Sequence, residues 1–181
     1  HLKAMRHVRS CLPPDLLQTV ACSVVSAKLD YCNSLLYGTS KANIAKLQRV
    51  QNSMARLVTG SRKFDHITPV LKKLHWLPIS SRINYKIAVL TFKILSTGEP
   101  AYLSSSLQRY QPTRTLRSAI YNRLAVPDIR DFRSEFSRRG FRNSSPAIWN
   151  SLPADITDNN ISHDIFVKRL KTHLFRLAFA V

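Results

Sequence analysis

Apolar positions recur along the first hundred residues at the three- and four-residue intervals of a helix face. Pro13-Pro14-Asp15 opens the first clear element, because a proline costs nothing at a helix start whose first amides lack partners. Leu16, Leu17, Val20, Val24 and Val25 follow, and the pattern runs on toward Tyr31. Gly38 closes that stretch, and Ser40 is placed to cap the next helix, since its hydroxyl can accept from an orphan amide.

The strongest pattern predicts a helix over 41–59. Ile44, Leu47, Val50, Met54, Leu57 and Val58 form its apolar stripe, and Gly60 ends it. A short helix is expected over 68–74 and a long one over 80–96, with Ile83, Ile87, Leu90 and Ile94 facing inward. Gly98-Glu99-Pro100 breaks the latter, and a short helix is expected over 101–107. Arg123-Leu124-Ala125-Val126-Pro127 reads as a short strand, and 141–152, with Pro146 and Pro153, as an ordered loop. The last helix is expected over 162–179, with Ile165, Phe166, Leu170, Leu174 and Leu177 inward. Four glycines in 181 residues are few for a sheet-based enzyme, so the expected class is mainly α.

Charge changes the picture most. Lysine and arginine number 28 against 10 acids, a net charge of +18. Self-repulsion on that scale destabilises a compact state, and its usual compensation is a polyanionic partner. On the 41–59 helix, Lys46, Arg49, Ser53 and Arg56 form a second stripe at intervals of three and four. The composition shifts at Arg109: from there to Arg142 are nine arginines and no lysine, opposed by Asp128, Asp131 and Glu135. Arginine matches phosphate oxygens with a planar fork and stacks on bases. Its interleaving with Tyr110, Tyr121, Phe132, Phe136 and Phe141 suits RNA or single-stranded DNA. Arg62, Lys63, Arg114, Arg117, Arg138, Arg139, Arg142, Lys168, Arg169 and Lys171 complete the candidate nucleic-acid contacts. The competing reading of each is a solvated cationic face.

Catalytic constellations are missing from the sequence. No two acids are adjacent, as two-metal polymerase chemistry would favour, and there is no Gly-x-Ser-x-Gly, Walker loop or Gly-x-Gly-x-x-Gly. Cys11, Cys22 and Cys32 lack zinc spacing, and neither a cofactor nor a metal is expected in this chain. The odd cysteine count fits reduced thiols and an intracellular protein, nuclear or cytoplasmic. No apolar run is long enough to span a bilayer, so no membrane partner is expected. The first residue is His and not Met, so a fragment or a partial gene model is the expectation. His75-Trp76-Leu77-Pro78 and Trp149-Asn150-Ser151-Leu152-Pro153 are expected to anchor joints between helices.

Several blocks line up with one family. Lys28-Leu29-Asp30-Tyr31-Cys32-Asn33-Ser34-Leu35-Leu36-Tyr37-Gly38 resembles the block behind the polymerase core of jockey-like LINE (non-LTR) retrotransposon reverse transcriptases. Leu47-Gln48-Arg49-Val50-Gln51-Asn52-Ser53-Met54-Ala55-Arg56-Leu57-Val58 resembles the next. The two Trp motifs, Arg114-Thr115-Leu116-Arg117-Ser118 and residues 166–175 then follow in the family's order. The resemblance implies a helical thumb-like domain over 1–108. Behind it would come an arginine-rich region over 109–181, irregular, with little β and a C-terminal amphipathic helix. It further implies a part of an RNA-directed DNA polymerase that grips template-primer or element RNA. Its partners would be RNA, RNA–DNA hybrid or DNA, together with upstream fingers and palm domains. The palm's aromatic-x-Asp-Asp motif has no match, so no catalytic residue carries over. The alternative is a retroelement remnant serving only as a structural or protein-interaction domain.

Overall fold

The structure, a computed structural model, describes residues 2–112, 122–128, 130, 134–158 and 160–180. It is mainly α. The helices are α1 (Leu2–Val8), α2 (Pro14–Ala21), α3 (Ala27–Asp30), α4 (Lys41–Thr59), α5 (Ile67–Lys73), α6 (Ile79–Thr97), α7 (Ala101–Ser104), α8 (Glu135–Arg139), α9 (Phe141–Trp149) and α10 (His163–Phe179). A π-helical turn, Cys22–Ser26, joins α2 to α3, and 3-10 turns lie at Arg9–Cys11 and Asn33–Leu36. Where a short strand is expected near Leu124, there is a single antiparallel bridge to Arg109.

The chain divides into two compact units. Unit 1 holds residues 1–33, 39–82 and 175–181; unit 2 holds 34–38 and 83–174. The composition change at Arg109 falls inside unit 2.

In unit 1, Pro14 takes the first position of α2, as its missing amide allows. Leu17, Ala21 and Val25 are buried at four-residue spacing across the π turn. They pack with Met5 of α1, with Met54, Ala55, Leu57 and Val58 of α4, with Leu71 of α5 and with Trp76. Helix α4 is bounded as its sequence requires. The Ser40 hydroxyl accepts from the Asn43 amide at 3.4 Å, and Gly60 takes the left-handed φ of 75° that ends it.

Trp76 and Leu77 are buried in the joint between α5 and α6, and two glutamines of α4 hold that joint. Gln51, fully buried, donates to the Leu77 carbonyl at 2.8 Å. The Gln48 side chain accepts from the Ile79 amide, the first of α6, at 2.9 Å and donates to the Gln51 oxygen at 2.9 Å. An orphan helix-start amide and a buried carbonyl are thereby both satisfied. Arg82 grips Asp30 with two parallel bonds, Nε to Oδ1 at 2.8 Å and Nη2 to Oδ2.

In unit 2, Phe166 of α10 stacks on Phe92 of α6 with centroids 4.2 Å apart and on Trp149 of α9 at 5.9 Å. The Trp149 indole donates to the Asn122 carbonyl at 2.6 Å. Asn150 both accepts from the Leu124 amide at 2.9 Å and donates to its carbonyl at 2.8 Å, acting as one rung of a strand ladder. The second Trp motif thus anchors the segment 122–124 to α9.

Two expectations about helices also need correction. Residues 141–149 form a helix rather than a loop. Pro146 removes one amide, but Ser144, Ser145, Pro146, Ile148 and Trp149 are buried on its inner side. That burial, with a 2.7 Å bond between the Ser145 and Thr91 hydroxyls, outweighs weak helix propensity. On α10, Phe166, Leu170 and Leu174 are buried as expected, whereas Ile165 and Leu177 are 44% and 68% exposed. The buried stripe is narrower than the apolar one.

Candidate nucleic-acid interface

Of the two long basic stretches, the one less opposed by acids lies in unit 1. From Lys41 to Arg82, nine lysines and arginines face a single acid, Asp65. Helix α4 sets their geometry. Its buried residues, Gln51, Met54, Ala55, Leu57 and Val58, fix one side to the core. Lys46 and Arg49, three residues apart, are therefore turned outward, and both are exposed. The Lys46 ammonium donates to Asn43 Oδ1 at 3.3 Å, within reach of its own helix and in solvent.

Arg56, the third basic member of that stripe, is held differently. It is half-buried, and its Nη2 donates to the Asp65 carbonyl at 3.1 Å. Its Nε is buried without a partner. One edge of the guanidinium thereby ties the segment after α4 to the helix. Arg62 and Lys63 lie in that segment and are exposed, and the Lys63 ammonium sits 5.7 Å from the centroid of the Phe64 ring. Lys46, Arg49, Arg62 and Lys63 thus remain as outward-facing charges of unit 1. Asp30 is engaged by Arg82, and the Asp65 carboxylate accepts the Arg62 amide at 2.6 Å.

No family model, curated protein or solved structure matches the chain.

The remaining candidates belong to unit 2 or lie outside the described residues, as Arg114 and Arg117 do. Arg138 pairs with Glu135 at 3.1 Å and Arg139 approaches the same carboxylate at 3.9 Å, both on α8. Arg139 also lies against Gly38, whose missing side chain leaves room for its methylenes. Its Nε is buried and unpartnered. Arg142 is exposed on α9. On α10, Lys168 and Lys171 project away from Phe166, Leu170 and Leu174, while Arg169 donates to the Asp155 carbonyl at 2.7 Å. Lys168 and Lys171 therefore suit ligand contacts better than Arg169 or Arg139.

Among the described residues, no three His, Cys, Asp or Glu side chains gather where they could hold a metal ion. A cleft of about 520 Å³ in unit 2 is lined by Ser105, Ser106, Asp128 and Arg142, with Gln108 and Val126. It brings hydroxyls, one carboxylate and one guanidinium together, without a histidine or cysteine in its described wall. No helix among the described residues is long and apolar enough to cross a membrane.

Sequence reasoning missed three features. Gln48 and Gln51 hold the joint, and the signal for Gln51 was its place within the apolar stripe of α4. The Arg56 anchor acts through a backbone carbonyl, which no side-chain pattern announces. Phe64, 92% exposed, was visible only as an aromatic set among cations.

Proposed function

We propose that this chain is the nucleic-acid-gripping C-terminal part of a LINE-type retrotransposon reverse transcriptase, holding template-primer or element RNA. The polymerase chemistry would belong to segments outside it. One observation carries the reading: nine cations against one acid between Lys41 and Arg82, with Lys46 and Arg49 presented together on the outer side of a well-capped helix. Exposed cations spaced along a rigid helix suit successive phosphates, and binding of that kind is driven by counterion release. The order of the sequence blocks supports the parent family, and the fold, mainly α, suits a thumb that grips duplex behind a growing end.

The test is fluorescence anisotropy of the full chain with a labelled hairpin RNA across a salt series. Affinity should fall steeply with salt, with a log–log slope of about −0.7 to −0.9 per phosphate neutralised. Lys46→Glu with Arg49→Glu should weaken binding and flatten that slope, leaving helicity by circular dichroism unchanged. Arg56 is left intact because its charge holds a loop. A flat salt response, or no binding at low salt, refutes the reading. Binding by the wild type that the double reversal leaves intact would make this stripe a solvated face.

A further inference from the structure

The segment between α4 and α5 is short, polar and unusually well pinned. Gly60 turns the chain out of α4 with a φ of 75°. The Thr59 and Ser61 hydroxyls bond at 2.7 Å. Residues 62–65 then form a turn. The Asp65 amide donates to the Arg62 carbonyl at 3.3 Å, and the Arg62 amide donates to the Asp65 carboxylate at 2.6 Å. Arg56 fastens the turn to α4 through the Asp65 carbonyl at 3.1 Å. Lys63 and Phe64 occupy its tip.

Phe64 is 92% exposed. A single exposed apolar side chain is ordinary. Here it stands at the apex of a turn whose backbone is fixed from both ends, so presenting it costs little further backbone entropy on binding. The neighbouring apolar residues Leu57, Val58 and Leu71 are all in the core, so the ring is not a stray edge of it. The charge around it is positive: Arg62 and Lys63 adjoin it, and the lone acid, Asp65, is occupied inside the turn. The Lys63 ammonium lies over one face of the ring, 5.7 Å from its centroid, and the 92% exposure of Phe64 leaves the other face open to a base.

An aromatic face between cations is how sequence-tolerant single-strand binders hold bases, whereas duplex offers no free base face away from its ends. We propose that the tip of this turn is a base-stacking finger. Phe64 stacks on an unpaired base of single-stranded nucleic acid, and Lys63 and Arg62 neutralise the flanking phosphates. This rests on the nucleic-acid reading and adds to it the state of the strand the protein takes.

The experiment uses the full chain and two probes of equal phosphate number, a single-stranded oligonucleotide and a blunt hairpin closed by a non-nucleotide linker. Phe64→Ala should weaken single-strand binding roughly 5- to 100-fold, as expected for one lost base stack, and leave hairpin binding and the thermal midpoint unchanged. Phe64→Trp should retain single-strand affinity, with its indole emission quenched on binding. The native tryptophans, Trp76 and Trp149, are buried, so the new indole carries that signal. If Phe64→Ala binds the single strand as wild type does, the finger is wrong and the basic grip stands. If the wild type binds neither probe at low salt, both readings fall. If the Phe64→Trp emission instead shifts to the blue on anionic vesicles and ignores the oligonucleotide, the turn is a membrane contact and the finger is refuted.

Discussion

Replacing Gln51 by methionine keeps much of its volume and removes its hydrogen bonding. Gln51 is fully buried, and its amide nitrogen holds the Leu77 carbonyl at 2.8 Å. The substitution strands that carbonyl in a packed joint beside Trp76. Gln48 keeps part of its bonding, because its amide nitrogen also reaches Asn52 Oδ1 at 2.8 Å. The cost is therefore mainly one buried unsatisfied carbonyl, about 1–3 kcal/mol. With a urea slope of about 2 kcal/mol per molar, typical for a small protein, the midpoint should fall by roughly 0.5–1.5 M. Trp76 emission in a Trp149→Phe background reads unit 1 directly. Gln48→Met should also destabilise, by unpairing the Ile79 amide. The double variant should cost less than the sum by about 0.5 kcal/mol or more, because the two side chains share a bond. A Gln51→Met midpoint within ~0.2 M of wild type would refute the reasoning, since an unpaired buried carbonyl cannot be that cheap.

Two further outcomes follow from unit 2. Thr91 donates to the Ile87 carbonyl, so the Ser145 hydroxyl must donate to Thr91; Thr91→Val should cost about 1–2 kcal/mol in urea melts, and adding Ser145→Ala should recover part of it. A double variant costing the full sum of the singles would disprove that pairing. Burial raises the pKa of the Tyr85 phenol. The folded state resists its ionisation, so the associated stability is intact below the ordinary tyrosine range near pH ~10 and is lost as pH rises through the higher folded value. Tyr85→Phe should show a shallower alkaline loss of thermal midpoint than wild type, and identical profiles would count against it.

How much was legible follows from where each signal is written. Helix α4 could be read to the residue, because Ser40, the apolar stripe and Gly60 are all local. The burial of both tryptophans was legible too, since no other side chain anchors a joint with so much area. Helix α9 was not. Its serines and Pro146 argue against a helix locally, and only the Ser145–Thr91 bond and the packing of Trp149 on Phe166, both distant in sequence, overrule them. Ile165 and Leu177 show the converse: apolar periodicity marks which residues can be buried, and the packing partners decide which are. The basic stripe was legible as composition but not as geometry. Lys46 and Arg49 face outward, whereas Arg56 is spent on a carbonyl nine residues on.

The π turn at Cys22–Ser26 has its own consequence. In a regular α-helix each residue advances about 100°, so positions four apart slip about 40° per step. Leu17, Ala21, Val25 and half-buried Leu29 would then wander around the axis. The wide turn absorbs that slip, as a stutter does in a coiled coil. In geometric terms it is one extra residue lodged in a helix. Removing one residue from the bulge would leave a four-three-four spacing, which an ordinary α-helix satisfies with the same side chains inward. The chain therefore carries, inside its core, a place where its length can change by one without turning a face to solvent.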